Sequence, residues 1–583
     1  MHLRRSFLPR FAMVAVCGLG LSALAQQPAA DLHAGAVDGA TASAPRGYKP
    51  AVNDSDVHRY REHVVTLANP YFEGRGSGTA GNDRAAAYLE LWFERIGLEP
   101  IFEGSASDDA AGTSGKIYRQ EFSVGTRTEV TSASLGRVGG GDGGTELRSG
   151  DDFEVLGLSG SGKGELPLVF AGYAISEAEL PGGGAYQTFA EGDSLEGKAA
   201  IILRFEPMNA DGKSRFADER WSNNADLGGK IRLAASKGAA AVILVNAPGA
   251  DDDRARTDKL ETASSLRGMG RALDIPVVMM TIGQADILVR AADEQGRSLE
   301  SLRKIADEAG GVIELPKAKL AINVAVERKP RITNNIIGLL PGKGELADEY
   351  VVIGAHFDHV GDGNSGGSVS NEYGQIHYGA DDNASGTSGM LLAAEIMKKH
   401  YEALPAEASA RSILFMGFSG EEMGLIGSRF FVQNSPFEAS SIYAMLNMDM
   451  IGRMRDDKIE IGGIGSAEGF EAIVDPFFTA SGLEISRQPG GSGPSDHASF
   501  NAGGIPVLFF FTGFHREYHT PRDVSALINP EGGVRVAMLC TDIAKSLAAR
   551  TEPLTFVSTS GSSSGPRLGR GDPAPLAAMS EPA

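Results

Sequence analysis

The second half of the chain is punctuated by runs that are apolar almost without a break: Tyr350 to Ala355, Arg411 to Phe418, Ile442 to Met448 and Ile505 to Thr512. A strand that alternates apolar and polar residues leaves one face in water. A strand that does not alternate needs cover on both faces of its sheet. Helical spacing fills the intervals, from Ala384 to Tyr401 and from Val534 to Ala549. Strands and helices in alternation predict an α/β fold with a doubly wound, mostly parallel sheet.

In such a sheet, ligands gather beyond the carboxyl ends of the strands. His356-Phe357-Asp358 follows the first run, Glu421-Glu422 the second and Asp449 the third, and His519 comes shortly after the fourth. A further segment, Gly379-Ala380-Asp381-Asp382-Asn383-Ala384-Ser385-Gly386, leads into the first of those helices. Taken singly, each has an ordinary explanation: a satisfied strand-end histidine, a solvated turn at Glu421-Glu422, a helix cap at Asp449 or at Asp381-Asp382-Asn383. Together they deliver carboxylates and imidazoles to one edge of a sheet. Two metal ions with a shared bridge need that donor set. The residues read as a binuclear metal hydrolase, and no motif-matched Ser or Cys nucleophile accompanies them.

With 583 residues the chain has room for two or three domains. A formal charge of −21 with no basic cluster argues against nucleic acid or an anionic membrane as partner. Arg4, Arg5 and Arg10 precede the apolar stretch Phe11 to Leu24, which ends in Ala23-Leu24-Ala25. That is the pattern of a signal peptide, residues 1–25, and predicts an exported protein, periplasmic or secreted, without stable membrane insertion. Cys17 falls in this segment, leaving Cys540 alone, so core packing and metal rather than a disulfide must stabilise the fold.

Residues 26–51 read as a flexible leader and 551–583 as a disordered tail, in which Arg570-Gly571-Asp572 is a chance tripeptide. Residues 52–149 begin with helical patterns over Ser55 to Leu67 and Asn82 to Leu98. Between them lies a glycine loop, Glu73 to Gly81, without the Lys-Ser/Thr ending of a phosphate-binding loop. Residues 150–318 carry short strand signals at Leu168 to Tyr173, Lys198 to Arg204, Ala241 to Val245 and Ile275 to Met280, and no histidine. They read as a non-catalytic module, with Asp251-Asp252-Asp253 in a solvated loop.

The segments His356-Phe357-Asp358, Gly379 to Gly386, Gly420-Glu421-Glu422-Met423-Gly424, Asn447-Met448-Asp449-Met450 and Tyr518-His519-Thr520-Pro521 resemble, in order, the motifs of the zinc aminopeptidase family called metallopeptidase family 28. Leu195 to Ile201 and Lys237 to Val242 are similar to the protease-associated domain inserted in such enzymes. The resemblance implies a zinc-exopeptidase sandwich over residues 319–550, completed by 52–149, with a smaller β-rich α/β protease-associated domain inserted at 150–318. It also implies two Zn2+ ions per chain and peptide substrates with a free amino terminus. Asp381 would bridge the ions, with a cis peptide to Asp382. His356 and Asp449 would hold one ion, and Glu422 and His519 the other. Asp358 would fix the tautomer of His356, and Glu421 would be the general base. Ser495-Asp496-His497 also matches, which implies His497 as a donor to the substrate carbonyl, oriented by Asp496. His377 and His515 match no ligand position, and Gly361 to Ser370 reads as a loop on the site rim.

Other activities belong to the same fold. A glutamate-type carboxypeptidase would need cations such as Arg453, Arg487 or Arg516 to clasp a carboxylate. A glutaminyl cyclase usually works with one zinc, against the five-ligand set here. A non-catalytic receptor-like binding protein would have lost ligands, and none is missing.

Overall fold

The computed structural model describes residues 52–559 apart from 105–114, 141–144, 219–220, 262–271, 364–366, 370–371 and 373. The expected signal peptide, the leader up to residue 51 and the Arg570-Gly571-Asp572 tripeptide lie outside the described residues. Among the described residues no helix is long and apolar enough to cross a membrane.

The expected parallel strands are present, in the spatial order Ser412–Phe418, Tyr350–His356, Ile442–Met448, Val507–Phe511. Their side chains alternate between two cores. Val351, Ile353 and Ala355 pack beneath the helices Asp54–Leu67, Gly386–Ala403 and Pro530–Ala549, whereas Val352 meets Leu414, Met416, Phe431 and Phe500 on the other face. Both faces are dry, as unbroken apolar runs require. The N-terminal helices belong to this core through Tyr60, Val64, Leu89 and Phe93. Asn53 caps the first helix by accepting from Asp56 N–H, and Thr79 caps the second, Ala80–Ile96, by accepting from Asn82 N–H.

Sequence periodicity did not signal a pair of long antiparallel strands, Arg119–Gly139 and Ile313–Leu340. Ile313–Leu340 pairs at its far end with Ser412–Phe418 and near its start with Gly162–Phe170, and it runs without a break through the expected junction at 318/319. The middle of the ribbon is exposed on both strands, at Thr126, Arg127, Glu129 and Glu327 to Pro330, so neither face carries an apolar pattern there. Beyond it stands a second α/β layer: Gly162–Phe170, Ala199–Leu203, Ala241–Val245 and Val277–Met280, all parallel, with Phe153–Val155 antiparallel at the edge. Ile201 and Ala200 enter different cores, so this part of the sheet is also covered on both sides.

The first residues of the expected tail are fixed against the body: Glu468 N–H donates to Thr555 O and Val557 N–H to Ser466 O.

Candidate metal centre

From Tyr350–His356 the chain steps to Ser412–Phe418 on one side and then to Ile442–Met448 on the other. Crossovers therefore part at the carboxyl end of the strand that ends in His356, the place where such sheets open a crevice. The turn Ala380–Ser385 leads into the helix Gly386–Ala403 and carries Asp382 to the same spot.

One carboxylate organises the site. Asp382 Oδ1 lies 3.4 Å from His356 Nε2, and that same nitrogen is 3.2 Å from Asp449 Oδ1. Asp382 Oδ2 lies 2.9 Å from His519 Nε2, which is 3.0 Å from Glu422 Oε2. Two groups of metal-holding geometry result among the described residues: His356, Asp382 and Asp449, and His359, Asp382, Glu422 and His519. Asp382 belongs to both.

The expected bridge, Asp381, points elsewhere. Its Oδ1 accepts from Gly452 N–H at 2.7 Å and its Oδ2 faces His515 Nε2 at 3.2 Å. The cis peptide likewise falls one residue later than expected, between Asp382 and Asn383. The reason is local: Asp382 and Asn383 leave helical dihedrals (φ −104°, ψ 99° and φ −128°, ψ 46°), so the chain turns the second of the two aspartates toward the ligands. Asp523 accepts the N–H groups of both Asp381 and Asp382, at 2.9 and 3.1 Å, and pins that turn from behind.

His359 was missed. It is buried, and its Nδ1 lies 2.7 Å from Glu422 Oε1, leaving Oε2 of the same carboxylate toward His519. The available signal was a second imidazole only three residues after His356. Glu421 Oε2 stands 4.0 Å from His356 Nε2, beside both groups. Asp358 lies behind: Oδ1 is 3.6 Å from His356 Nδ1 and accepts Glu421 N–H at 3.3 Å, while Oδ2 accepts Gly420 N–H at 2.9 Å. The Asp358 backbone carbonyl faces the same Nδ1 at 3.2 Å, so Asp358 orients the imidazole chiefly through its main chain and the backbone of the candidate base through its carboxylate. Gly367, in the expected rim loop, accepts from His519 Nδ1 at 2.6 Å, which turns Nε2 inward.

His497 is buried, with its ring stacked on Phe509 at 4.2 Å, and burial lowers it to about 3, so it is neutral at ordinary pH. Asp496, expected to orient it, makes no hydrogen bond or ion pair with it among the described residues; burial raises that carboxyl to about 7. His377 is held by Gln375 O and Ser368, and His515 by Asp381 and Glu517.

The electrostatics are those of a site with too much negative charge for its size. Burial raises Glu421 well above the usual range, against the pull of His356, and Glu422 and Asp449 add to the rise. Burial would lower His356, yet Asp449 and Glu421 outweigh it and hold the imidazole well above its ordinary value. His519 is raised in the same way, by Glu422 and Asp382 against burial. His519 Nε2 is buried without a well-formed hydrogen bond although two carboxylate oxygens lie close by. A cation shared between the three atoms fits that arrangement. Imidazole nitrogen with carboxylate oxygen is a donor set that suits zinc.

Residues 335–544 match the family model described as peptidase family M28, and residues 164–288 match that of the PA domain. The region holding the site thus matches the peptidase family M28 model, and the match to the PA domain precedes it in the chain.

A probable leucine aminopeptidase of Arthroderma benhamiae is 29% identical over 223 residues, covering 37% of this chain and 58% of its own length. An aminopeptidase of Pseudomonas aeruginosa is 29% identical over 293 residues, covering 49% of this chain and 45% of its own. The chain therefore spans about half the length of these relatives. Among solved structures, a zinc aminopeptidase from Bacillus subtilis is 20% identical, with a TM-score of 0.47 over 85% of this chain and 95% of that one.

Proposed function

We propose that the chain is an exported aminopeptidase that uses two zinc ions to release residues from the amino end of peptides. The observation that carries this reading is Asp382, whose two oxygens face two separate ligand groups. His356 and Asp449 would hold one ion, Glu422 and His519 the other, and Asp382 one oxygen to each. Bound there, the ions would supply a water of lowered pKa and a counter-charge for the developing oxyanion.

The residues do the rest. Glu421 takes the proton of the attacking water and returns it to the leaving amine. His359 holds Glu422 in place through Oε1, and Asp358 holds His356 and the Glu421 backbone. His497, beside this group and neutral, is available as a donor toward the substrate carbonyl.

Polarity follows from charge. With Asp382, Asp449 and Glu422 engaged by the ions, Glu421 is the acid left to favour a substrate ammonium over a carboxylate. Arg453 pairs with Glu517 at 3.0 Å, and Arg487 pairs with Glu471 and Asp475. Two of the three arginines considered for a carboxylate clasp are therefore engaged by acids. The block at about 150–318 would restrict access or contact substrate without chemistry of its own. Export rests on the Arg4-to-Ala25 pattern alone.

Aminoacyl anilides and free peptides should be cleaved, and acetylation of the amino terminus should abolish cleavage. Efficient removal of residues from the carboxyl end of N-acetylated peptides would reverse the polarity.

A further inference from the structure

The glycine loop Glu73 to Gly81 comes 282 residues before the loop it grips, and nothing in the function above uses it. Arg75 stands at its centre, fully buried. Its guanidinium donates to four carbonyls: Nε to Phe357 O at 2.8 Å, Nη1 to Leu67 O at 2.7 Å and Tyr378 O at 2.8 Å, and Nη2 to Gly379 O at 2.8 Å. Phe357 lies between His356 and Asp358, and Gly379 opens the turn that carries Asp382. One side chain therefore ties together the two segments that supply ligands to both halves of the site.

The loop backbone makes the same connection. His359 N–H donates to Arg75 O and Gly361 N–H to Gly74 O. Gly74, at φ +65°, packs so tightly that a Cβ would lie 2.3 Å from Gly361 O and 2.5 Å from His377 O. Ser77 Oγ–H donates to Asp358 Oδ2 at 2.5 Å. Burial works against the Arg75 cation, and the charges of Asp382, Asp523, Asp358 and Glu422 favour it, so its charge offsets that of the carboxylate cluster.

We propose that Arg75 is a positioning residue of the metal centre, fixing both ligand-bearing segments and balancing the acids between them. A planar fork of donors suits four fixed carbonyls as a lysine ammonium would not. The inference rests on the two-zinc reading, and the zinc content of the unaltered chain tests that reading separately.

The test uses the full chain with Arg75 replaced by Gly, because φ at this position is +50° and glycine adopts it without strain. Zinc affinity is measured by competition with a chelator. Loss of a group that supports ligands weakens metal binding about 10–100-fold, so Arg75→Gly should bind zinc at least tenfold more weakly. Its kcat should fall while KM stays within about twofold. Guanidinium chloride at about 20 mM should restore part of both, where sodium chloride at equal strength does not. Unchanged zinc affinity, or no more recovery with guanidinium than with sodium, overturns the proposal. Should Arg75→Gly not fold, Ser77→Ala decides: zinc bound several-fold more weakly supports the clasp, and the affinity of the unaltered chain refutes it. If the unaltered chain binds no zinc, the two-zinc reading fails instead.

Discussion

Asp381 and Asp382 are adjacent and both buried, and the structure gives them opposite duties. Replacing Asp382 by Asn removes the one carboxylate that, among the described residues, belongs to both ligand groups. Losing an outer support costs about 10–100-fold in metal affinity, so losing the bridge should exceed the upper end of that range. That corresponds to more than about 2.7 kcal/mol of binding. The same change removes one like charge from a crowd of buried acids, so the metal-free variant should melt at or above the metal-free parent.

Asp381→Asn should behave in the opposite sense. It weakens the bond from Gly452 N–H and the pairing with His515, a loss of roughly 2 kcal/mol for a buried hydrogen bond to a charged group. Zinc content should stay at the parent value. The assay is metal analysis after dialysis against zinc, with thermal melts of metal-free and zinc-loaded protein. Full zinc in Asp382→Asn, or equal loss in both variants, would refute the assignment of the bridge.

Three further expectations follow from the same geometry. Glu421→Gln should keep its metal while kcat falls about 10²–10⁴-fold, the worth of a positioned base, whereas Glu422→Ala should lose one ion; equal metal loss in the two would contradict the roles. His63 is buried against Tyr88 and Trp92, and desolvation, with Arg59 adding, lowers it to about 4 from 6.5. The unfolded chain therefore binds the extra proton between those values, so stability should fall by about 3 kcal/mol as pH drops from 6.5 to 4; a His63→Gln chain with the same acid slope would rule this out. Finally, Glu129 and Glu327 face each other across the exposed part of the ribbon. Joining them through an Asn-Gly turn, with residues 130–326 removed, should leave zinc binding and turnover of a small anilide. A folded deletion without metal would show that the removed block helps build the site.

The peptidase sheet could be read from the chain because its strands are apolar at consecutive positions and its acids follow their ends. The full length of the ribbon could not: Leu320, Ile322 and Val324 alternate as a buried strand does, but Arg127, Glu129 and Glu327 to Pro330 are exposed and interrupt the period. The shift from Asp381 to Asp382 has an equally physical origin. Asp381 and Asp382 are the same residue type, and only the departure of Asp382 and Asn383 from helical dihedrals decides which carboxylate turns inward. His359 was visible as an imidazole but not as the support of Glu422, because that contact joins two different strand ends. Likewise, Arg75 announces nothing in a glycine-rich loop until the carbonyls of Phe357, Tyr378 and Gly379 are placed around it.

The central claim is tested most directly by titrating the metal-free chain with zinc while following hydrolysis of leucyl p-nitroanilide. Two ions bound per chain at full activity, with the acetylated anilide left intact, is the predicted result. Full activity at one ion per chain, or with none, would contradict it.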